Sequence, residues 1–112
     1  AAAEEIGGLR VALRELGEMP PRDLKGIAEA ILAGGTADLV AVVSTAEGKA
    51  SIVVALGEAA KGRADAVALV RVAAAAVGGK GGGGKPDMAQ AGGPEAAKAG
   101  EALAAVRAAL GG

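Results

Sequence analysis

Long apolar and charged residues alternate through Leu9-Arg10-Val11-Ala12-Leu13-Arg14-Glu15-Leu16, the period of a strand with one buried face. Gly17 and Pro20-Pro21 end that pattern, and Pro21 falls where a helix favours proline in its first turn. Ile27, Ala28, Ile31 and Leu32 then form an apolar stripe at helical spacing, which Gly34-Gly35 stops. The continuous apolar run Leu39 to Val43 predicts a strand covered on both faces. Ala46-Glu47-Gly48 is a turn signal, and Ser51 to Leu56 reads as a second buried strand, so the two runs predict a hairpin. A helix is expected from an Asp65 cap to about Val77, with Val67, Val70 and Ala74 on one face. Met88 to Ala91 suits a short strand, and Pro94 to Leu110 a closing helix with Leu103, Val106 and Leu110 aligned.

The predicted order is β-α-β-β-α-loop-(β)-α, a mixed β-sheet with helices packed on it, of the α/β class. No internal repeat and no polar linker interrupts residues 1–112, which are expected to form one domain.

Composition narrows the chemistry. The chain has no Phe, Tyr or Trp, so stacking of unpaired bases on aromatic platforms is excluded. It has no His or Cys, which removes imidazole and thiolate metal ligands, a thiol nucleophile and an imidazole base. No metal or other cofactor is expected. No apolar run approaches the ~20 residues of a membrane helix, and no membrane partner is expected. The opening AAAEEIGG is unlike a signal peptide, and a start at Ala1 suggests a piece excised from a longer chain.

The net charge of −1 hides an asymmetry. Residues 1–47 carry 4 basic and 8 acidic side chains, whereas residues 48–112 carry 8 basic and 5 acidic. An electropositive face is therefore expected from the second half. Arg10 and Arg14 alternate with apolar neighbours and suit the outer face of an edge strand. Arg63 and Arg71 lie near the helix before the glycine-rich stretch and Lys98 and Arg107 on the helix after it, where most such residues are simply solvated. Glu4, Glu5, Glu15 and Glu18 suggest an acidic patch, but their spacing builds no catalytic pocket.

The stretch from Gly78 to Gly93 reads GGKGGGGKPDMAQAGG, and 8 of its 16 residues are glycine. Glycine is costly to order, so such a cluster marks positive φ angles or close approach to the backbone. Gly79 to Lys85 fits the first seven positions of a P-loop, but Pro86 replaces the magnesium-binding hydroxyl. The stretch also follows a predicted helix, whereas a P-loop follows a strand. A flexible linker would fit Gly81 to Gly84 alone, but not the varied Pro-Asp-Met-Ala-Gln-Ala-Gly-Gly that follows.

GGKGGGGKPDMAQAGG resembles the signature of the C-terminal domain of alanyl-tRNA synthetase, commonly GGKGGGRPDMAQAGG, and the order of elements agrees over nearly the whole chain. That module is related to the domain beside the catalytic unit of DHH-type phosphoesterases. The GGGHxxAAG histidine of those enzymes has no match here, so their chemistry is not implied. Lys85 stands where the family has arginine, which keeps the charge but loses the planar fork.

The resemblance implies a non-catalytic, cytoplasmic tRNA-binding module of an alanine–tRNA ligase. Such a module grips the outer corner of tRNA and helps couple aminoacylation to editing. Its implied contacts are the backbone of Gly79, Gly81, Gly82, Gly83 and Gly84, the charges of Lys80 and Lys85, and the amide of Gln90. Asp87 would brace the loop rather than face phosphate, and Met88 would join the core. The implied partners are tRNA, the rest of the parent synthetase and a second copy. A module that chiefly dimerises or docks within its parent, with little RNA contact, is the competing expectation.

Overall fold

The computed structural model describes residues 3–79 and 82–111. Six strands and three helices follow in the order β1 (Glu4–Ile6), β2 (Leu9–Glu15), α1 (Pro21–Ala33), β3 (Leu39–Ser44), β4 (Ala50–Leu56), α2 (Ala66–Ala76), β5 (Gly82–Lys85), β6 (Met88–Gly93) and α3 (Ala99–Ala109). The strands form one mixed sheet in the order β1-β2-β3-β4-β6-β5. Only β2 and β3 run parallel, joined through α1, while the other pairs are antiparallel.

The hydrophobic pattern decides which face each helix covers. Leu39, Ala41 and Val43 of β3, with Ile52 and Val54 of β4, pack beneath Leu69, Val70 and Ala73 of α2 and Leu103 and Val106 of α3. The intervening Val40, Val42, Val53 and Ala55 pack on the opposite face against Leu24 and Ala28 of α1. Both central strands are therefore buried on both sides, as their continuous apolar runs predict. The centre of the α1 stripe is Leu24 and Ala28, while Ile31 and Leu32 are only half-buried and pack at its margin. Ser44 carries the one buried side-chain hydroxyl without a hydrogen-bond partner among the described residues.

Helix ends follow local chemistry. Pro21 opens α1, and its missing N–H costs nothing at a position where helical donors are unpaired. The Asp65 carboxylate accepts a 2.9 Å hydrogen bond from the Val67 N–H and caps α2 as expected.

Three features differ from the sequence pattern. An additional strand, β1, pairs with β2, so Arg10 and Arg14 lie on an interior strand rather than at the sheet edge. The glycine-rich segment is not a loop along its length: Gly82 to Lys85 form the outermost strand, paired with β6. Glycine has a low strand propensity, and here the pairing with β6 overrides it. Finally, the closing helix begins at Ala99, after a 3-10 turn at Ala96–Lys98.

Arg10 does structural work at the parallel crossover. Its Nη2 and Nε donate to the two oxygens of Asp38 at 2.9 and 3.3 Å, and its backbone N–H donates to Oδ2 at 2.9 Å. The Asp38 N–H donates in return to the Arg10 carbonyl at 2.7 Å, which locks the entry of β3 against β2. Hydrogen bonds from Arg10, chiefly from its side chain, hold the Asp38 carboxyl below its ordinary pKa. A depressed folded-state pKa contributes stability above the unfolded value of about 3.9, and this is lost as pH falls through the folded value. Thermal melts should therefore show a loss of stability below about pH 4 that is smaller in Asp38→Asn. An identical acid profile in wild type and variant would contradict the assignment.

Candidate nucleic-acid interface

The glycine-rich segment is placed by a tight crossing of backbones. α2 ends near Val77, where Gly78 takes a φ of +79°, and the Gly79 N–H donates to the Ala74 carbonyl at 2.7 Å. β6 then returns past the same helix end, where the Glu95 N–H donates to the Val77 carbonyl at 3.0 Å. A Cβ on Gly93 would strike the Val77 carbonyl oxygen and stand 2.6 Å from the Gly79 nitrogen, and one on Gly79 would strike the Gly92 carbonyl. These glycines thus make room for the chain's own backbone.

The hairpin has an unusual turn for its length. Lys85 pairs with Met88 across Pro86-Asp87, yet neither turn residue has positive φ, so it is not one of the primed turns that suit two-residue hairpins. Outside contacts hold it instead. The Pro86 carbonyl accepts from the Ala66 N–H at the start of α2, and the Asp87 carbonyl accepts from the Leu56 N–H at the end of β4, both at 2.8 Å. The Asp87 carboxylate also lies 3.9 Å from Lys61 Nζ. Asp87 therefore braces the turn, as the resemblance implies. Gly84, with a φ of +146°, lies so close to β6 that a Cβ would come within 2.6 Å of the Met88 carbonyl oxygen. Gly83 meets nothing within 4 Å and is exposed.

On the face of the sheet shared with α1, the hairpin and the helix leave a trough between them. One end is a hollow of about 590 Å³ bounded by Lys25, Glu29 and Leu32 of α1 and by Gly83, Gly84, Lys85 and Gln90. The other is a hollow of about 470 Å³ between Pro21, Arg22 and Leu24 and the strand residues Gly82, Gln90 and Gly92. Val53 and Gln90, partners across β4 and β6, line both hollows, so the two adjoin.

Among the expected contacts, Gly82, Gly83, Gly84, Lys85 and Gln90 are thus gathered on this trough. Gly79 lies away from it, at the α2 crossing. Lys80 and Gly81 lie outside the described residues. Met88 packs against the core beneath α1. The sequence pattern missed Arg22 and Lys25, because the electropositive face was expected from the second half alone. Their signal was present: with Glu29 and Leu32, they fall on one stripe at helical spacing.

Several cations elsewhere in the fold are engaged. Arg107 pairs with Glu4, Lys98 with Glu95 at 3.3 Å, and Arg63 donates to the Gly7 carbonyl at 2.9 Å. Among the described residues, Arg22, Lys25, Lys49, Arg71 and Lys85 are exposed and have no ion pair or hydrogen-bond partner for their side chains, and of these Arg22, Lys25 and Lys85 line the trough. No group of three or more metal-ligating side chains is present among the described residues.

Residues 8–112 match the family model described as the DHHA1 domain, and the chain belongs to that family. Its fold superimposes on the C-Ala domain of Aquifex aeolicus alanyl-tRNA synthetase with a TM-score of 0.88 and 25% identity, over 100% of both chains. The chain is 61% identical over 107 residues to the alanine–tRNA ligase of Granulibacter bethesdensis, covering 96% of this chain and 12% of that protein. It is 47% identical over 112 residues to that of Paramagnetospirillum magneticum, covering 100% of this chain and 13% of the relative. The chain thus spans about an eighth of the length of these curated relatives. In sequence and fold it corresponds to the C-Ala domain, as GGKGGGGKPDMAQAGG implied. No described helix is long and apolar enough to cross a membrane.

The glycine contacts make a contrast testable by melting. Gly93→Ala and Gly84→Ala should each cost about 1–3 kcal/mol from overpacking against backbone that has little room to move. Gly83→Ala should stay within about 0.5 kcal/mol of wild type, as at other open surface sites. Equal destabilisation by all three would refute the close-approach account.

Proposed function

We propose that residues 1–112 form the single C-terminal tRNA-binding domain of an alanine–tRNA ligase. It acts in the cytoplasm and carries no catalytic step of its own. It holds the outer corner of tRNA, helps the aminoacylation and editing centres share one substrate, and has the remainder of the parent synthetase as its protein partner.

The observation that carries this reading is the trough beside the β5–β6 hairpin, which presents Lys85 and Gln90 together with the unpaired free edge of β5. A backbone edge and a mobile ammonium suit phosphate oxygens and 2′-hydroxyls, while the Gln90 amide can both donate and accept. Gly82, Gly83 and Gly84 keep that edge free of side chains, and Gly79, Lys80 and Gly81 are the further contacts that the resemblance implies. Without aromatic side chains the grip follows RNA shape and backbone rather than stacked bases.

The competing reading, a module that chiefly dimerises or docks, calls for an apolar contact surface. Val72 is the one large apolar side chain exposed among the described residues, beside a hollow of about 290 Å³ between β1, α2 and the end of α3. Isolated apolar residues of this kind are ordinary on protein surfaces. The trough with its unpaired cations favours RNA.

Fluorescence anisotropy with whole tRNA tests the proposal. With about 2–3 phosphates neutralised, log K should fall with log[salt] at a slope near −2. Lys80→Ala with Lys85→Ala should weaken binding and make the slope shallower by about 1–2, with the sedimentation profile unchanged. Equal affinity for tRNA and for an unstructured RNA of the same length would count against it. A change in oligomeric state with RNA binding intact would favour docking.

A further inference from the structure

We infer that α1 forms the second wall of the RNA site, with Arg22 and Lys25 holding phosphates of the same strand that Lys85 contacts. The strand then runs lengthwise between α1 and β6 and crosses Gln90 at the centre of the trough. This inference rests on the tRNA-binding reading and adds two contact residues to it, from the half of the chain whose charge balance is acidic.

Geometry supplies the path. Gln90 and Val53 are shared by both hollows, so the two adjoin between Arg22 and Lys85. At ~1.5 Å per helical residue, the stripe from Arg22 to Leu32 is ~15 Å long. Met88 to Gly92 of β6 matches it at ~3.3 Å per residue, or ~13 Å.

Charge supplies the orientation. Arg22 lines one hollow, and Lys25 lines the other together with Lys85 and the acid Glu29, which weakens the attraction there. Asp87 also lines the Lys85 hollow, where Lys61 Nζ, 3.9 Å from its carboxylate, offsets part of its charge. Phosphates are thus drawn to Arg22 in one hollow and to Lys25 and Lys85 in the other, with Gln90 shared by the two.

Helix energetics make Arg22 stand out. A cation in the first turn works against the helix dipole, and α1 has no basic residue in its last turn, where one would stabilise it. Helix stability therefore does not account for Arg22, whereas a phosphate contact in the trough does.

The test is tRNA anisotropy over a salt series for wild type, Arg22→Gln/Lys25→Gln, Lys85→Ala and Glu29→Gln, with melting temperatures for each. At ~0.7 units of slope per phosphate, each lost contact weakens binding about five-fold near 0.1 M salt. The double variant should therefore bind about 25-fold more weakly with a slope shallower by about 1.4. Glu29→Gln should bind more tightly than wild type, a gain that loss of structure cannot produce. Arg22→Glu should melt at or above the wild-type temperature while binding tRNA more weakly still. Wild-type affinity and slope in the double variant, with Lys85→Ala impaired, would overturn the inference and leave the tRNA reading standing. Absence of tRNA binding by wild type would overturn both.

Discussion

The close passage of the chain against itself at the end of α2 governs the remaining geometry. Within a few residues the backbone leaves α2 through Gly78 and Gly79, and it later returns along β6 through Gly92 and Gly93. Side chains at Gly79 or Gly93 would force these segments apart, because the atoms they would meet are backbone carbonyls and amides. Held at this distance, β6 pairs with β4 in full register and α2 lies across β4, β6 and β5 together. The hairpin is thereby fixed at the sheet edge, opposite the flank of α1, and a trough opens on the face that α1 leaves uncovered. The glycines matter first as a packing device, and the exposed edge strand is its consequence.

That order of causes explains how a chain of slightly negative net charge can present a cationic surface. Several cations are consumed within the fold: Arg10 fastens the crossover, Arg63 ties to Gly7, and Arg107 and Lys98 engage carboxylates. Arg22, Lys25 and Lys85 are drawn from distant parts of the sequence to the walls of one cleft, where a few uncompensated charges act together more strongly than scattered ones. Lysine in place of the arginine common in the resembled signature suits a modest, adjustable contact rather than bidentate clamping.

Much of this was legible in the residues. The apolar run Leu39 to Val43 fits a strand buried on both faces, Asp65 caps α2, and Pro21 begins α1, because each signal depends only on local backbone chemistry. PDMAQAGG pointed to the right relatives. What escaped was set by pairing between remote segments. β1 is three residues long, too short for periodicity to register, and owes its existence to β2. Gly82 to Lys85 has no strand propensity and is extended because β6 and the pinned Pro86-Asp87 turn hold it so. Arg22 and Lys25 belong to an acidic half, and only the packing of α1 beside β6 brings them to the trough.

The central claim, that the trough between α1 and the hairpin is the RNA-facing surface, is tested most directly by titrating whole tRNA into the isotopically labelled chain and following amide resonances. The account predicts that perturbations concentrate on residues 22–29 and 82–92, leaving β1 and the outer faces of α2 and α3 unchanged. Perturbations confined to α2, α3 and β1, with the α1 and hairpin resonances unmoved, would contradict it.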